Sequence, residues 1–455
     1  MKKAFFILIG IVFLLIIGNR VIKKTEYIKV EKSTKEISSI DDYVDHVYDE
    51  IKLRWSSMHL VWPGLNYENH NLLLFKLDNN QNVEKAWLIN TKEKREVTKE
   101  EIEGIEAPMI FGYSEIKFQG KPSILSSIDD SVLEVEDYTY KSLYDLITHE
   151  LVHFYYQKTY SFEEEGSRST KYPLDYKPRL YRKMLLLNLC EAFENKEKAK
   201  YLSQAKYWLE KWKTEYQSEY KGIESTDIFE GSARYIEYFG AEIRSDIKPE
   251  ELKKLIQKKL PTETYFGSVD GESYELGFVS GILLDTIYPE WKNKFYDNNI
   301  TPVDILLSKI KPIEEKSNKI VENKIKELLN ENNKEIAIDI SNIIKAQEDI
   351  KIPYLKIKGS YIHGSNTLNG FYNYKNQEII SNVSCIFKIK NQKLEIKDTS
   401  LIVLQEKNEE YMLIPLLESY NIKKNILEIN NSKQKGSVAI KKIVEKDGRV
   451  LFLVD

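Results

Sequence analysis

Residues 146–157 read LITHELVHFYYQ and place two histidines, His149 and His153, four positions apart. Positions i and i+4 lie on one face of an α-helix, so both imidazole rings can reach a single ion. Neutral imidazole nitrogen is a common ligand of Zn²⁺, and Glu150 can act as general base for a water at an open coordination position. The apolar residues around the motif fit a helix that is buried inside a domain. The stretch therefore predicts a zinc-binding catalytic helix.

An ordinary amphipathic helix that happens to contain two histidines is the competing interpretation. The chain has only six histidines, so a chance HExxH pattern is rare. The other four are His46, His59, His70 and His363; they lack ligand-like neighbours in sequence, and we expect each at the surface or satisfied within the core. Catalytic zinc usually has three protein ligands and a water, so a third ligand is expected elsewhere in the chain.

The segment 228–240, IFEGSARYIEYFG, supplies the best candidate for that third ligand. Glu230 and Glu237 are seven positions apart on one helix face, among apolar residues where a carboxylate needs a cation or a proton. We predict Glu230 as the third zinc ligand, and Glu237 as the carboxylate that accepts a hydrogen bond from a ligand histidine and fixes its tautomer. Gly231 permits a neighbouring helix to approach closely. Arg234 is the alternative cation for the carboxylate of Glu230.

The order of these motifs resembles a known family. HELVH followed by Glu-Gly-x-x-x-Tyr-x-Glu is similar to the pattern of the gluzincin zinc metallopeptidases, above all the aminopeptidase N type. The resemblance implies a thermolysin-like catalytic domain in which the three ligand candidates hold Zn²⁺ and Glu150 activates the water. It also implies that Tyr274, in the stretch YELG, donates a hydrogen bond to the oxyanion of the tetrahedral intermediate. The chain has 30 tyrosines, so an ordinary core or surface tyrosine is the alternative for this position.

The chain departs from the aminopeptidase pattern in two respects. Glu230 follows His153 by 77 residues, a far longer gap than in that family, and a helical region, 160–228, fills it. The family also carries a Gly-x-Met-Glu-Asn strand whose glutamate holds the free amine of the substrate, and the nearest stretch here is FGYSE, with Glu115. Exopeptidase and endopeptidase specificity therefore both stay open. The resemblance spans roughly residues 70–310.

The fold class predicted from the whole chain is α+β. Short apolar runs bounded by Asn, Asp and Gly predict strands in the N-terminal part: NLLLFKL, KAWLIN, APMIFGY and PSILSSI. Mostly helical periodicity follows, with a long region at about 181–220 and a further helix capped by Ser225 or Thr226. Residues 354–455 alternate polar and apolar residues around turn signals at Asn391-Gln392 and Asp447-Gly448, which predicts a small all-β domain.

These patterns divide the chain into a signal anchor at 1–24, a metallopeptidase domain at 25–350 and the β domain at 354–455. Lys2 and Lys3 precede the apolar run Ala4–Gly18, which predicts an uncleaved single-pass anchor in the cell membrane. A cleaved signal peptide is the alternative, and the chain would then be secreted. Either choice places the catalytic domain outside the cytoplasm.

Composition limits the partners. The net charge is −4 with both signs spread along the chain, so no basic stripe predicts binding to nucleic acid. Cys190 and Cys385 lie far apart without a CxxC pattern, and we expect each to be a buried small apolar residue. A peptide or protein is the expected substrate, and the sequence predicts no oligomeric state.

Two rival functions remain open at this point. The chain can be a surface-anchored binding or adhesion protein whose zinc is structural or whose site is inactive, with the β domain carrying the function. It can also be a hydrolase of non-peptide bonds, because the zinc-water chemistry is the same. Retention of Glu150 favours an enzyme, since a binding protein has no need of a general base.

Overall fold

The structure is a computed structural model that describes residues 37–157, 168–367, 370–407 and 409–454. It contains two compact units. Within the described residues, the first comprises 37–157, 168 and 175–328, and the second comprises 169–174, 329–367, 370–407 and 409–454. The predicted anchor at Ala4–Gly18 lies outside the described residues. Among the described helices, none combines the length and the apolar character needed to cross a membrane.

The first unit begins with a helix and a mixed sheet. Helix α1 spans Ile40–Arg54, with the Ser39 side chain accepting a hydrogen bond from the Asp42 amide as its N-cap. The sheet has five strands in the order β3-β2-β1-β5-β4, and only the pair β1 and β5 is parallel. The strands are β1 Asn71–Leu77, β2 Val83–Ile89, β3 Lys94–Glu96, β4 Tyr113–Phe118 and β5 Lys121–Ile128.

Burial along these strands follows their place in the sheet. Strand β1 is central and almost entirely buried, which suits its unbroken apolar run NLLLFKL. Strand β4 lies at the edge and alternates between more and less exposed residues. A core of apolar side chains fills one side of the sheet: Leu73, Phe75, Leu77, Ala86, Leu88, Val97, Ile102, Phe118 and Leu125.

Three of the four predicted N-terminal strands are confirmed, and the prediction for APMIFGY is wrong. That segment forms a turn in which the Gly112 amide donates to the Met109 carbonyl at 2.7 Å. Phe111 has a φ of +54°, which an extended strand does not allow. The strand starts at Tyr113 instead and continues through residues that the sequence did not mark as apolar.

Helices make up the rest of the first unit. They are α2 Tyr140–Leu151, α3 Tyr176–Glu194, α4 Lys198–Glu215, α5 Gln217–Gly240, α6 Pro249–Gln257, α7 Val269–Ile287 and α8 Pro302–Leu307. Helix α9, Lys319–Asp339, contains the boundary between the units at residues 328 and 329. The long helical region predicted at 181–220 is broken after Glu194 and again at Tyr216.

The predicted cap at Ser225 or Thr226 is wrong, because α5 begins eight residues before Ser225, at Gln217. The Thr226 side chain is buried in the interior of the helix, and no side-chain cap is present at Tyr216, the residue before its start. Serine and threonine favour caps only where the chain actually enters a helix. Here a turn at Tyr216 connects α4 directly to α5, so Ser225 and Thr226 lie inside a helix that has already begun.

The second unit is built on an eleven-stranded sheet. Its strands are β6 Thr170–Lys171, β7 Tyr354–Lys358, β8 Ile362–Thr367, β9 Gly370–Tyr374, β10 Gln377–Ile389, β11 Gln392–Glu406, β12 Glu409–Pro415, β13 Tyr420–Lys423, β14 Ile426–Asn430, β15 Gln434–Lys446 and β16 Arg449–Val454. Strand β15 pairs with both β11 and β16, so β11, β12, β7, β16 and β15 form a closed ring of pairings. Helix α10, Ser341–Glu348, precedes these C-terminal strands.

The predicted α+β class is confirmed at this level, with an N-terminal sheet, a mostly helical middle and an all-β C-terminal region. The turn at Asp447-Gly448 is confirmed, with positive φ at both residues between β15 and β16. The other predicted turn lies one residue earlier than expected, at Lys390-Asn391, because Ile389 pairs with Gln392. The division into domains at 350–354 stays a prediction.

Candidate metal centre

Three ligand atoms converge in the first unit: Nε2 of His149, Nε2 of His153 and one carboxylate oxygen of Glu230. The two Nε2 atoms are 3.0 Å apart, and Oε2 of Glu230 lies 3.2 Å from each of them. All three side chains are buried. Electron-pair donors this close repel one another unless protons or a cation lie between them. The group can therefore hold a metal ion.

The tautomer of His149 is fixed by Glu237. Nδ1 of His149 lies 2.8 Å from Oε2 of Glu237, and a carboxylate accepts, so Nδ1 carries the proton. The other oxygen of Glu237 accepts from Nη1 of Arg234 at 2.7 Å. Nε2 of His149 is thus left with its lone pair facing the cluster, which is the state a metal ligand requires.

Arg234 does not neutralise Glu230. Its guanidinium pairs with Glu237, and its Nε lies 3.7 Å from Glu275. The alternative in which Arg234 is the cation for Glu230 is therefore wrong. Glu237 lies three positions after Arg234 on α5, which brings those two side chains together, whereas Glu230 faces the histidines of α2.

The tautomer of His153 is fixed by Gln157, a residue that sequence reasoning missed. The Gln157 amide nitrogen donates to the Phe229 carbonyl at 2.9 Å and to Oγ of Ser232 at 3.1 Å. Because a carbonyl only accepts, the amide oxygen of Gln157 must face the other way. That oxygen lies 2.6 Å from Nδ1 of His153, so Nδ1 donates and Nε2 is free to bind a cation.

The helix that carries the two histidines changes shape between them. Helix α2 ends at Leu151 and continues as one π-helical turn, Val152–Tyr156, closed by the bond from the Gln157 amide to the Val152 carbonyl at 3.1 Å. The sequence predicted a regular helix through Gln157. The wider turn lets the Tyr155 hydroxyl donate to the Ser123 carbonyl at 2.8 Å. Such single π-turns inside α-helices occur frequently at functional sites.

The charges in the cluster favour positive charge between the ligands. Burial by itself lowers the pKa of His149, but hydrogen bonds with the carboxylates of Glu230 and Glu237 raise it to about 9. Burial raises the pKa of Glu230, yet His153 and Arg168 hold it well below its usual range. A proton is therefore favoured on Nε2 of His149 when no ion is bound, and a metal ion would displace it.

Glu150 is a buried carboxylate without an ion-pair partner among the described residues. It is fully buried, and neither of its oxygens makes a hydrogen bond of normal geometry to a described residue, although the Tyr113 hydroxyl is near enough to act on it as a donor and to oppose the rise of its pKa. Burial raises the pKa of Glu150 well above its usual value, opposed by the neighbouring His149. Burial raises the pKa of the Tyr113 phenol, at the start of β4, and the nearby charge of Glu150 raises the pKa of this phenol further. Burying a carboxylate without an ion pair lowers the stability of the fold, so a structural role does not explain why Glu150 is present.

Tyr274 is brought to the cluster by a close crossing of α5 and α7. Gly231 and Gly277 meet there, and a Cβ added at Gly231 would lie 2.8 Å from Cα of Gly277. The Tyr274 ring stacks beside that of His149, with 6.0 Å between the ring centroids. The guanidinium carbon of Arg234 lies over the Tyr274 ring, 5.0 Å from its centroid. The expectation that Gly231 allows a close helix approach is thereby confirmed.

Arg168 is the second site residue that sequence reasoning missed. Its Nη1 lies 3.3 Å from Oε1 of Glu230, and its Nη2 donates to the Tyr274 hydroxyl at 3.2 Å. Asp270, in the first turn of α7, accepts from Nε at 2.8 Å and from Nη2 at 3.1 Å. The surrounding sequence, EEEGSRSTKYP, has no periodicity or motif that points to the cluster.

Other residues considered from the sequence lie elsewhere. Glu115 is exposed on β4 and is not among the three residues whose ligand atoms converge. His70 is buried and bonds to Tyr156, whereas His59 is exposed, in agreement with the expectation for these two. Both cysteines are buried free thiols, as predicted.

Comparison of the chain with protein-family models, with curated proteins and with solved structures found no match.

Proposed function

We propose that the protein is a zinc-dependent peptidase of the gluzincin type. One observation carries the proposal: three buried ligand atoms converge beside a buried carboxylate, Glu150, that forms neither an ion pair nor a hydrogen bond of normal geometry with a described residue. A structural metal site explains the three ligands but leaves the cost of burying Glu150 unexplained. A hydrolytic site explains both, because a general base must face the substrate and not another protein group.

The ligand set fits Zn²⁺ better than the hard cations. Two imidazole nitrogens and one carboxylate oxygen suit zinc, whereas Ca²⁺ and Mg²⁺ prefer oxygen ligands alone. Both Nε2 atoms have lone pairs available, because Glu237 and Gln157 hold the opposite nitrogens as donors. A zinc ion bound there would act as a Lewis acid toward the scissile carbonyl and lower the pKa of water.

Glu150 is the general base in this proposal. It follows the ligand His149 directly in the chain, and the charges of His149 and Glu230 act on its pKa in opposite directions, His149 lowering it and Glu230 raising it. It takes a proton from the attacking water and then passes that proton to the leaving nitrogen. Transfer in both directions requires a carboxylate that is not locked in an ion pair, and Glu150 forms none with a described residue.

Tyr274 is the oxyanion donor. Its hydroxyl lies beside Arg168 and its ring beside His149, so the phenol is buried within the same group of side chains. Burial raises its pKa well above the usual value, and Glu230 raises it further, so the phenol keeps its proton at neutral pH. A neutral phenol can donate to negative charge that develops on the carbonyl oxygen.

The remaining parts of the proposal come from the sequence. The substrate is a peptide or protein, and the thermolysin-like identity of the catalytic domain follows from the resemblance of its motifs. The apolar run Ala4–Gly18 supports a membrane-anchored chain with its catalytic unit outside the cytoplasm. Exopeptidase and endopeptidase action both fit the site.

The test compares wild type with Glu150→Gln. Each protein is depleted of metal with a chelator, reloaded with one equivalent of Zn²⁺ and incubated with a mixed peptide library, and products are read by mass spectrometry. Wild type should cleave only after zinc is restored, and the variant should bind zinc but cleave ~10²–10⁴-fold more slowly. The cleavage products then define the specificity.

Two results would overturn the proposal. Undiminished cleavage by Glu150→Gln would remove the general base from the mechanism. Zinc binding by a wild type that cleaves no peptide, in the library or in larger protein substrates, would favour the rival in which a surface binding protein has an inactive site.

A further inference from the structure

We infer that Arg168 is a positioning residue that sets two features of the site at once. It keeps Glu230 presenting a single oxygen to the ligand cluster, and it turns the hydroxyl proton of Tyr274 away from itself and toward the cluster. The inference rests on the proposed function, because it concerns the same metal and the same oxyanion donor. Neither the motif resemblance nor the sequence pattern marks Arg168.

Arg168 is held in place by Asp270. Its Nε and Nη2 donate to the two oxygens of Asp270 at 2.8 and 3.1 Å, which is the bidentate geometry that a planar guanidinium favours. Asp270 is buried in the first turn of α7, so the fork has little freedom to rotate. Because Asp270 belongs to α7, the position of this helix sets the direction of the other N–H groups of the guanidinium.

The first consequence concerns Glu230. Nη1 of Arg168 lies 3.3 Å from Oε1, while Oε2 faces the two imidazole nitrogens at 3.2 Å. With Oε1 engaged by a positive charge, only Oε2 is available to a metal. A glutamate without that partner can bind through both oxygens and fill a position that water needs. Arg168 thus keeps one coordination position open.

The second consequence concerns Tyr274. Nη2 of Arg168 lies 3.2 Å from the phenol oxygen, and guanidinium has donors but no acceptor. The phenol oxygen must accept this hydrogen bond, so its own proton points elsewhere. Two carboxylates act on the phenol, Glu230 more strongly than Asp270, and both oxygens of Asp270 already accept from Arg168. The ring also lies beside His149, so the cluster is the acceptor surface that remains for the proton. Arg168 therefore acts on the oxyanion through the orientation of Tyr274.

A purely structural role does not require these contacts. Arg182 provides the comparison, because it is also a buried arginine paired with carboxylates, at 2.9 Å from Asp227 and 2.8 Å from Glu272. It joins α3 to α5 and α7 but contacts none of the ligands and not Tyr274. Arg168 has a buried carboxylate partner of its own in Asp270, yet it reaches past that partner to a ligand and to the phenol.

The experiment uses matched lysine variants of the full chain, Arg168→Lys and Arg182→Lys. Each keeps a positive charge but loses the guanidinium fork. Two quantities are measured: the visible absorption spectrum of the Co²⁺-loaded protein, which reports the coordination of the ion, and kcat and KM on a cleaved peptide. The Tyr274→Phe variant and the double variant with Arg168→Lys complete a cycle.

The expected result separates the two arginines. Arg168→Lys should change the Co²⁺ spectrum and lower kcat by ~10–100-fold with little change in KM, whereas Arg182→Lys should leave the spectrum unchanged. Adding Arg168→Lys to Tyr274→Phe should cost much less than the product of the two single losses, because Arg168 acts partly through the phenol.

The failures are distinguishable. If wild type binds neither Zn²⁺ nor Co²⁺, the proposed function fails and this inference falls with it. If wild type binds metal and cleaves peptide, but the two lysine variants have the same spectrum and the same kinetics, only the role of Arg168 is overturned. If wild type binds metal without cleaving, the spectra alone decide, and an unchanged spectrum for Arg168→Lys contradicts the inference.

Discussion

Gly277 and Gly231 pack backbone against backbone: a Cβ added at Gly277 would lie 2.1 Å from Cα of Gly231. No side-chain movement relieves an overlap with main-chain atoms. Glu230 immediately precedes Gly231 on α5, and Tyr274 precedes Gly277 by one turn on α7, so this crossing sets the distance between the third ligand and the phenol.

Gly277→Ala should therefore damage both stability and activity. The helices must separate to admit the methyl group, which we expect to lower the free energy of unfolding by about 1–3 kcal/mol despite the better helix propensity of alanine. Gly271→Ala on the same helix is the control, because its Cβ would meet only side-chain atoms of Phe266 and Ser268 at 3.2 and 3.5 Å. Chemical denaturation of both variants checks the prediction, and equal stabilities would contradict it.

Glu150→Gln should not destabilise the protein, although the residue is fully buried. Neither carboxylate oxygen makes a hydrogen bond of normal geometry to a described residue, and the nearby Tyr113 hydroxyl can donate to an amide oxygen as well as to a carboxylate. A neutral amide also costs less to bury than a carboxylate. The contrasting change is Glu272→Gln, whose carboxylate accepts from Arg179 at 2.7 Å and pairs with Arg182 at 2.8 Å. That variant should lose about 1–3 kcal/mol.

Denaturant unfolding at pH 7 measures both carboxylate variants side by side. A loss for Glu150→Gln as large as that for Glu272→Gln would mean that Glu150 has a structural partner, and its assignment as a general base would lose its main support.

Gln157→Met should weaken metal binding without removing a ligand. The variant takes away the acceptor that holds Nδ1 of His153 as a donor, so the imidazole can turn or change tautomer. We expect Zn²⁺ affinity to fall by ~10–100-fold in a competition titration with a chromophoric chelator. Gln204→Met on α4, outside the cluster, should leave the affinity unchanged. Equal affinities for wild type and Gln157→Met would refute the role of this amide.

How far the sequence predicts the site depends on whether a residue belongs to a periodic motif. The spacing of two pairs places each pair on one helix face: His149 with His153, and Glu230 with Glu237. The sequence therefore already indicates which side chains can converge. Gln157 was within reach of the same argument, because it lies four positions after His153. It was missed because glutamine has no fixed chemical role that a motif records.

Arg168 could not be found in this way. It belongs to no helix or strand, and its guanidinium is held by Asp270, more than 100 residues later in the chain.

The strands of the N-terminal sheet likewise differ in how far the sequence pattern predicts them. Apolar runs predict β1 and β5 correctly, whereas the edge strand β4 has too few buried positions to produce an apolar pattern. The neighbouring apolar run APMIFGY predicts a strand but forms a turn.

Acid should destabilise the fold partly through His70. Burial lowers the pKa of this imidazole from 6.5 to about 4, against an opposing hydrogen bond with the Pro122 carbonyl. Between these two pH values the unfolded chain binds a proton that the folded chain does not, so the free energy of unfolding falls as the pH falls. The contribution is roughly 3 kcal/mol over that range, at about 1.4 kcal/mol per pH unit.

His70→Gln removes this titration. The variant should lose less stability than wild type when the pH is lowered from 7 to 4, as measured by urea denaturation at each pH. The control is His59→Gln, because that histidine is exposed. Parallel pH profiles for wild type and His70→Gln would contradict the assignment.

The most direct test of the account is the stoichiometry of zinc binding to the apoprotein. Isothermal titration should give one Zn²⁺ per chain for wild type and for His59→Ala, since that histidine lies outside the cluster. His153→Ala and Glu230→Ala should each lose that binding or weaken it by several orders of magnitude, because each removes one of three ligands. Undiminished binding by both variants, or no binding by wild type, would contradict the central claim that these residues form a metal site.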